Sequence, residues 1–136
     1  METAIKGFER IVQTLGFESF ADYEVLRVTL TRSFNPTLEI IVLTSRSPQN
    51  READPSGPHY YIVRLLFRGI EEVEIEDFNH QNVIHFLEQT KVDDRWKIHF
   101  AGIFGMDCSF TCEEGEVLSI EPTQMKLGQV QVAPPI

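Results

Sequence analysis

From residue 24 onward, apolar and polar side chains alternate in segment after segment with a period of two, as in β-strands that have one buried face. The first such segment shows the alternation over six consecutive residues: Leu26, Arg27, Val28, Thr29, Leu30 and Thr31. A helix would repeat its apolar face every 3.6 residues, so this pattern predicts a fold that consists mainly of sheet. The same pattern predicts that Leu26, Val28 and Leu30 lie on one buried face and that Arg27, Thr29 and Thr31 lie on the other face.

The residues before this pattern have a different period. Apolar side chains recur there every three or four positions and stop just before Gly16, a residue type that favours a helix C-terminus. These side chains are Ile5, Phe8, Ile11, Val12 and Leu15. We therefore predict an α+β fold, in which an N-terminal helix is followed by seven or so mostly antiparallel strands in a curled sheet or open barrel. At 136 residues the chain is near the size of one domain, which we assign to residues 1–128, with residues 129–136 as a C-terminal tail.

Two pairs of segments are predicted to form hairpins. The sequence SFNPT resembles a turn and returns the chain from the first strand into residues 38–44. Asp93 and Asp94 are predicted to form a second turn, and its register would place Glu88 opposite His99.

Four other segments receive separate predictions. Residues 60–67 are apolar on nearly both faces, which is typical of a central strand. Residues 45–58 are rich in Pro, Ser, Asn and Asp without any period, so we expect a mobile surface loop. A helical turn is expected near residues 79–84. Two strands are expected on either side of a turn at residues 113–115.

Both cysteines lie in one short stretch, DCSFTC. In a strand, Cys108 and Cys112 point to the same side and their Cα atoms are about 13 Å apart, given a rise of ~3.3 Å per residue. A disulfide needs Cα atoms within roughly 7 Å, and zinc binding would need further ligands at a recognisable spacing, which the four histidines do not supply. We therefore expect two buried, unreactive thiols beside Phe110 and no metal site.

Charge is the one strongly biased property of the composition. The chain has 21 acidic and 12 basic side chains, for a formal net charge of -9 at pH 7. Glu72, Glu74 and Glu76 alternate with Val73 and Ile75, which predicts a strand with a row of carboxylates on its solvent face. Such a surface disfavours nucleic acid as a partner and favours a basic protein.

Candidates for catalysis are weak. His80 and His85 are five positions apart, which places them on different faces of a helix or a strand. No phosphate-binding glycine loop and no nucleophile motif is present, so we expect neither a cofactor nor an enzyme. Two alternatives stay open: a small enzyme that uses Glu88 and His99 in a pocket of the curled sheet, and a module that holds a small apolar molecule or has a structural role.

The apolar runs are far shorter than the roughly 20 residues that a membrane span requires, and the first ten residues lack the apolar core of a secretory signal. We therefore expect a cytoplasmic protein that does not insert into a membrane.

Three stretches resemble the immunity protein 50 family of bacterial polymorphic toxin systems. The first, residues 8–25, reads FERIVQTLGFESFADYEV, and it resembles the family's helix, aromatic turn and strand start. The second contains RLLFRG, the acidic strand and FNHQNVI, and the third is GMDCSFTC with a closing strand. The match departs from the family at Ala21, where the family pattern has histidine, while Ser19, Phe20 and Asp22 are kept.

The resemblance implies a cytoplasmic antitoxin that binds and neutralises a cognate protein toxin. Together with the charge of the chain, it leads us to expect a partner-binding surface that combines the acidic row with two aromatic anchors. The residues assigned to this surface are Glu72, Glu74, Glu76, Asp77, Phe78 and Tyr60. An exposed edge strand would also allow a second copy of the chain to pair, so a homodimer stays open.

Overall fold

The computed structural model describes residues 2–16 and 20–125, and within them the chain forms nine strands and two short helices. In chain order the elements are β1 (Ile5–Lys6), α1 (Phe8–Leu15), β2 (Glu24–Thr31), β3 (Thr37–Ser45), α2 (Pro48–Ala53), β4 (Tyr60–Arg68), β5 (Glu71–Glu76), β6 (Val83–Val92), β7 (Arg95–Phe104), β8 (Asp107–Cys112) and β9 (Glu114–Thr123). Neither helix is long and apolar enough to cross a bilayer. The predicted tail at residues 129–136 lies outside the described part of the chain.

The strands form one open sheet in the order β1-β9-β4-β3-β2-β6-β7-β8-β5, and every pairing except that of β1 with β9 is antiparallel. β2 and β6 are paired at a single position, where Glu24 lies opposite Val83. This narrow connection divides the sheet into two halves, which we call the β4 half (β1, β9, β4, β3 and β2) and the β5 half (β6, β7, β8 and β5). The prediction of a mostly antiparallel, open sheet with a small N-terminal helix is confirmed, and the sheet has nine strands where seven or so were predicted.

The core lies between the two halves. The ring of Phe67 on β4 packs edge-on against Phe110 on β8 and Phe100 on β7, with centroids 4.9 and 6.0 Å apart. These aromatic contacts join the inward faces of both halves into one buried cluster. β4 is paired along its full length with β3 and β9, as expected of an interior strand.

The N-terminal helix is present but shorter than the apolar pattern predicted. α1 begins at Phe8, and it buries Phe8, Ile11 and Leu15 in the core. Ile5 is also buried, but it belongs to β1, which pairs in parallel with β9. Gly7 has a left-handed backbone (φ 82°), and this conformation separates the short strand from the helix.

Both predicted hairpins form. β2 pairs with β3 across the SFNPT turn. β6 pairs with β7 across Asp93 and Asp94, with Glu88 opposite His99 in the predicted register. The strands on either side of residues 113–115 are also present, but they pair with different neighbours, because β8 belongs to the β5 half and β9 to the β4 half.

Residues 45–58 are not the irregular loop that their composition predicted, because they contain α2. Ser47 caps this helix by accepting a hydrogen bond from the Asn50 N–H, and Pro48 occupies its first turn. The Asn50 side-chain amide donates to the carbonyl oxygens of Gln13 and Thr14, which attaches α2 to the end of α1.

The helical turn expected near residues 79–84 is absent. Residues 79–82 are irregular, with a bend at His80, and β6 begins at Val83. Asn82 replaces the helical hydrogen bonds: its side-chain oxygen accepts from the N–H groups of Asn79 and Met106, and its side-chain nitrogen donates to the Asn79 carbonyl. Asn82 therefore joins the β5–β6 connection to the turn between β7 and β8.

Candidate partner-binding surface

β5 is an edge strand, and its carboxylates are exposed. It pairs with β8 on one side and with no strand of residues 2–16 and 20–125 on the other. Glu72, Glu74 and Glu76 are all exposed, as the sequence predicted. Val73 and Ile75 are partly buried and pack against the core, so the strand is held by its apolar side chains.

A β-bulge changes which glutamates share a face. Glu71 lies opposite Thr111 and Glu74 opposite Ser109, so three residues of β5 span the space of two residues of β8. Glu72 lies within this bulge with a left-handed backbone (φ 54°). Simple alternation predicted that Glu72, Glu74 and Glu76 share one face of the strand. The observed register instead puts Glu71 on the same face as Glu74 and Glu76, and Glu72 lies in the bulge.

The outward side of the β5 half gathers carboxylates from three strands. Cys108, Phe110 and Cys112 point inward on β8, so Asp107 points outward, opposite Glu76. Glu88 on β6 also points outward, opposite His99. We call this surface the acidic face, and its carboxylates are Glu71, Glu74, Glu76, Glu88 and Asp107.

The carboxylates of the acidic face differ in how they are paired. Glu71 lies 3.7 Å from Arg95, and Asp107 lies 2.9 Å from the Nε2 atom of His99. Glu74 and Glu76, like Glu72 beside them, have no ion pair within the part of the chain that the structure describes. Their negative charge is therefore available to a partner.

His99 lies between two carboxylates. Its Nδ1 atom is 3.9 Å from a carboxylate oxygen of Glu88, so the two predicted partners are neighbours, but the distance is too long for a hydrogen bond. The shorter contact is with Asp107, whose other oxygen accepts a hydrogen bond from the Gly102 N–H. The depression beside His99 is small, about 190 Å³, and open to solvent. This geometry is that of a polar surface network.

An apolar groove lies beside the acidic face, between β2 and the end of β5. Its volume is about 280 Å³, and it is lined by Val28, Leu30, Ile75 and Phe78. Val28 and Ile75 pack against the core and form the floor. Leu30 and Phe78 are 53% and 55% exposed and form the rim. The exposure of Leu30 contradicts its predicted burial, since β2 extends past its only contact with β6.

Comparison with known proteins identifies the chain at the family level. A protein-family model described as immunity protein 50 matches residues 7–123. The chain belongs to the immunity protein 50 family. No curated protein and no solved structure gives a significant match.

For this immunity protein 50 chain, the six residues assigned to partner binding do not all lie together. Asp77 and Phe78 follow β5 directly and are exposed, so they extend the row of Glu72, Glu74 and Glu76. Tyr60 is half-buried at the start of β4 and stacks on His59, with ring centroids 4.5 Å apart. Tyr60 lines a different depression, with Pro58 and Pro122, and does not line the groove.

Sequence reasoning missed several residues of this surface. It assigned Glu88 to a candidate catalytic pair, and it did not assign Asp107 to the surface. The alternation within DCSFTC contained a signal for Asp107, because inward cysteines leave the aspartate outward. Ala21, at the family's histidine position, is exposed in a turn, and Ser19 lies outside the described residues.

Cys108 and Cys112, the two cysteines of this protein, are buried on β8 and do not form a disulfide. Burial, together with the nearby Asp107 charge, raises the pKa of Cys108 to about 12. Burial also raises the pKa of Cys112 to about 11, against a smaller opposing effect of Arg95. Both groups are neutral thiols at pH 7, and neither is suited to act as a nucleophile. Within residues 2–16 and 20–125, no group of three or more His, Cys, Asp or Glu side chains is arranged to hold a metal ion.

Proposed function

We propose that this protein is an antitoxin that binds a cognate bacterial toxin in the cytoplasm and neutralises it through the acidic face and the neighbouring Phe78. Membership of the immunity protein 50 family supports a role in immunity and a non-enzymatic one. The observation that carries the choice of surface is that three exposed carboxylates of β5 have no ion pair among the described residues, beside an exposed phenylalanine. Glu74 and Glu76 lie on the acidic face, and Glu72 lies in the bulge next to them.

Electrostatic steering supports this choice. Exposed carboxylates that are not balanced by nearby cations attract a basic surface over roughly a Debye length, about 8–10 Å at moderate salt. Such attraction raises the rate of association more than it strengthens the final complex. The proposed toxin surface is therefore basic, which fits the net charge of -9 on this chain.

Phe78 supplies the apolar part of the proposed contact. It is 55% exposed, although burial of an aromatic ring is favourable. Aromatic residues near the centre of an interface, surrounded by polar groups that exclude water, often contribute much of the binding energy. Phe78 lies at the rim of the apolar groove and directly follows Asp77 and the β5 carboxylates in the chain, so a partner that covers the ring also meets these charges.

The test is capture of the tagged full-length protein from its native cells at low and at high salt, followed by identification of what is retained. A captured protein is then produced with and without the antitoxin, and both growth arrest and rescue are measured. We expect a protein with a basic domain that arrests growth alone, is neutralised by coexpression and is released as salt rises. No partner that arrests growth, at either salt concentration, would contradict the proposal.

Charge variants then test the surface itself. In the triple variant Glu72→Gln, Glu74→Gln, Glu76→Gln, we expect association with the captured toxin to slow by about tenfold at low salt and much less at high salt. The matched control is Glu9→Gln, Glu52→Gln, Glu121→Gln, which removes three exposed carboxylates from α1, α2 and β9. Equal effects of the two triple variants would show that only the net charge matters.

A further inference from the structure

Two strand edges are unpaired on the two sides of the apolar groove. β2 pairs with β3 along its length, but on its other side it is held only at its start, by the pairing of Glu24 with Val83 and by the hydrogen bond from the Val25 N–H to the Asn82 carbonyl. Residues 26–31 therefore have one edge without a neighbouring strand in the described structure, and β5 has another. An unpaired edge presents backbone N–H and C=O groups that an additional strand can bind.

We propose that the groove between β2 and β5 is a β-augmentation site, which an extended segment of the toxin enters to pair with residues 26–31. This inference deepens the proposed function and rests on it for the identity of the partner. Six residues at ~3.3 Å each give an edge of about 20 Å, long enough for a short strand. Main-chain hydrogen bonds supply binding in this mode, and side-chain pockets supply selectivity.

The faces of the groove define the sequence pattern of the segment. Side chains of an added strand alternate between the two faces of the sheet. On the inward face they meet the groove floor of Val28 and Ile75 and the rim of Leu30 and Phe78. On the outward face they meet the side of β5 that carries the carboxylates. The structure therefore favours a segment in which apolar residues alternate with lysine or arginine.

Charge also argues for a toxin segment over a second copy of this chain. A copy would bring a net charge of -9 and its own unbalanced glutamates to the same place. Like charges that face each other across an interface weaken it. A basic segment instead supplies an opposite charge to Glu74 and Glu76 on the outward face, which have no ion pair among the described residues.

A synthetic peptide tests the site without the toxin. The probe is a blocked heptapeptide of alternating Val and Lys, and its control replaces every Lys with Glu. We measure binding by fluorescence anisotropy and the protection of individual backbone amides by hydrogen exchange. The expected result is that the Val/Lys peptide binds and slows amide exchange within residues 26–31, whereas the Val/Glu peptide does neither. Equal binding of both peptides, or no protection of residues 26–31, would overturn the proposal.

One variant at the groove rim and one outside the groove test whether the peptide binds in the groove. Leu30→Arg places a positive charge and a polar group in the groove and is expected to weaken Val/Lys binding by about tenfold or more. Phe34→Arg makes the same change in charge at a fully exposed ring in the β2–β3 turn, outside the groove, and is expected to leave binding unchanged. Unchanged thermal melting of both variants establishes that they are folded. Equal weakening by the two variants would contradict the site.

Two further outcomes concern the occupant. Protection of residues 26–31 in the isolated protein that rises with its concentration would mean that a second copy occupies the groove. Protection that disappears on deletion of residues 126–136 would mean that the chain's own C-terminus does. Either result overturns the inference but leaves toxin neutralisation intact. Failure to capture any toxin, with normal Val/Lys binding, would instead contradict the proposed function alone.

Discussion

The two halves of the sheet treat their carboxylates differently. In the β4 half, three carboxylates lie against basic side chains: Glu39 with Arg64 at 2.7 Å, Glu114 with Lys6 at 2.9 Å, and Glu116 with Arg68. In the β5 half, Glu72, Glu74 and Glu76 have no such partner among the described residues. Both halves share one core, so the difference is not required by packing. The difference is one of degree, because Glu121 on β9 also has no ion pair among the described residues and Glu71 and Asp107 in the β5 half do have one. The β5 half is distinct in that three carboxylates of a single strand are left without an ion pair.

The largest expected effect comes from breaking the core that both halves share. Phe67→Ala removes a fully buried ring that contacts Phe100 and Phe110, and we expect the free energy of unfolding to fall by about 3–5 kcal/mol. Chemical denaturation followed by circular dichroism measures this loss. The paired variant Phe78→Ala removes an exposed ring and should change stability little while it weakens toxin binding. Similar losses of stability in both variants would mean that Phe78 contributes to the fold.

The second largest effect is expected in the connection between β5 and β6, residues 77–82, which contains Phe78. Asn82→Ala leaves the N–H groups of Asn79 and Met106 without their acceptor in a largely buried place. The expected cost is about 1–3 kcal/mol, because a buried donor without a partner loses its hydration and gains nothing. Relative to the wild type, the variant should show faster hydrogen exchange in residues 77–82 and unchanged exchange in β4. The exposed variant Asn35→Ala is the control, and an equal cost there would contradict this role of Asn82.

The sequence was sufficient to predict which segments pair as hairpins, although not the register shifts within β2 and β6 or the exposure of Leu30. The alternation in β2 and β3 and the two-residue turn at Asp93 gave the correct hairpins, because short connections leave few alternative registers. The same alternation gave the inward side of β8 and hence the buried thiols.

Features that depend on distant pairing were not predictable in this way. β5 follows β4 after two residues but pairs with β8, since the chain crosses from one half of the sheet to the other at Gly69. The bulge at Glu72 interrupts an alternation that looks perfect in the sequence. The groove exists because, among the described residues, neither β2 nor β5 has a neighbouring strand there, and this depends on the order of all strands in the sheet. In α2, by contrast, the Ser47-Pro48 start signal was present and was outweighed by the polar composition around it.

Alkaline pH tests the buried side of the β5 half, where the two thiols of β8 lie. The pKa values of Cys108 and Cys112 are about 12 and 11 in the folded protein, above the value of 9.0 for a free thiol. Well below pH 9 the thiols are protonated in both the folded and the unfolded state, so they do not make stability depend on pH there. As pH rises above 9, the unfolded chain loses these protons before the folded protein does, so the thiols favour unfolding. We expect thermal stability to fall with a shallower slope in Cys108→Ala than in the wild type between pH 9 and pH 10.5, and equal slopes would contradict the assignment.

The smallest effect bears most directly on the comparison of the two halves. Glu39→Gln removes a partly exposed ion pair with Arg64 in the β4 half and is expected to lower the free energy of unfolding by about 0.2–1 kcal/mol. Glu74→Gln removes a carboxylate that has no ion pair among the described residues and is near Glu72 and Glu76, so stability should stay the same or rise slightly as repulsion falls. The two variants change the net charge equally, so denaturation at low and high salt separates local pairing from total charge. A loss of stability in Glu74→Gln as large as that in Glu39→Gln would mean that the β5 carboxylates serve the fold, and the distinction between the halves would no longer hold.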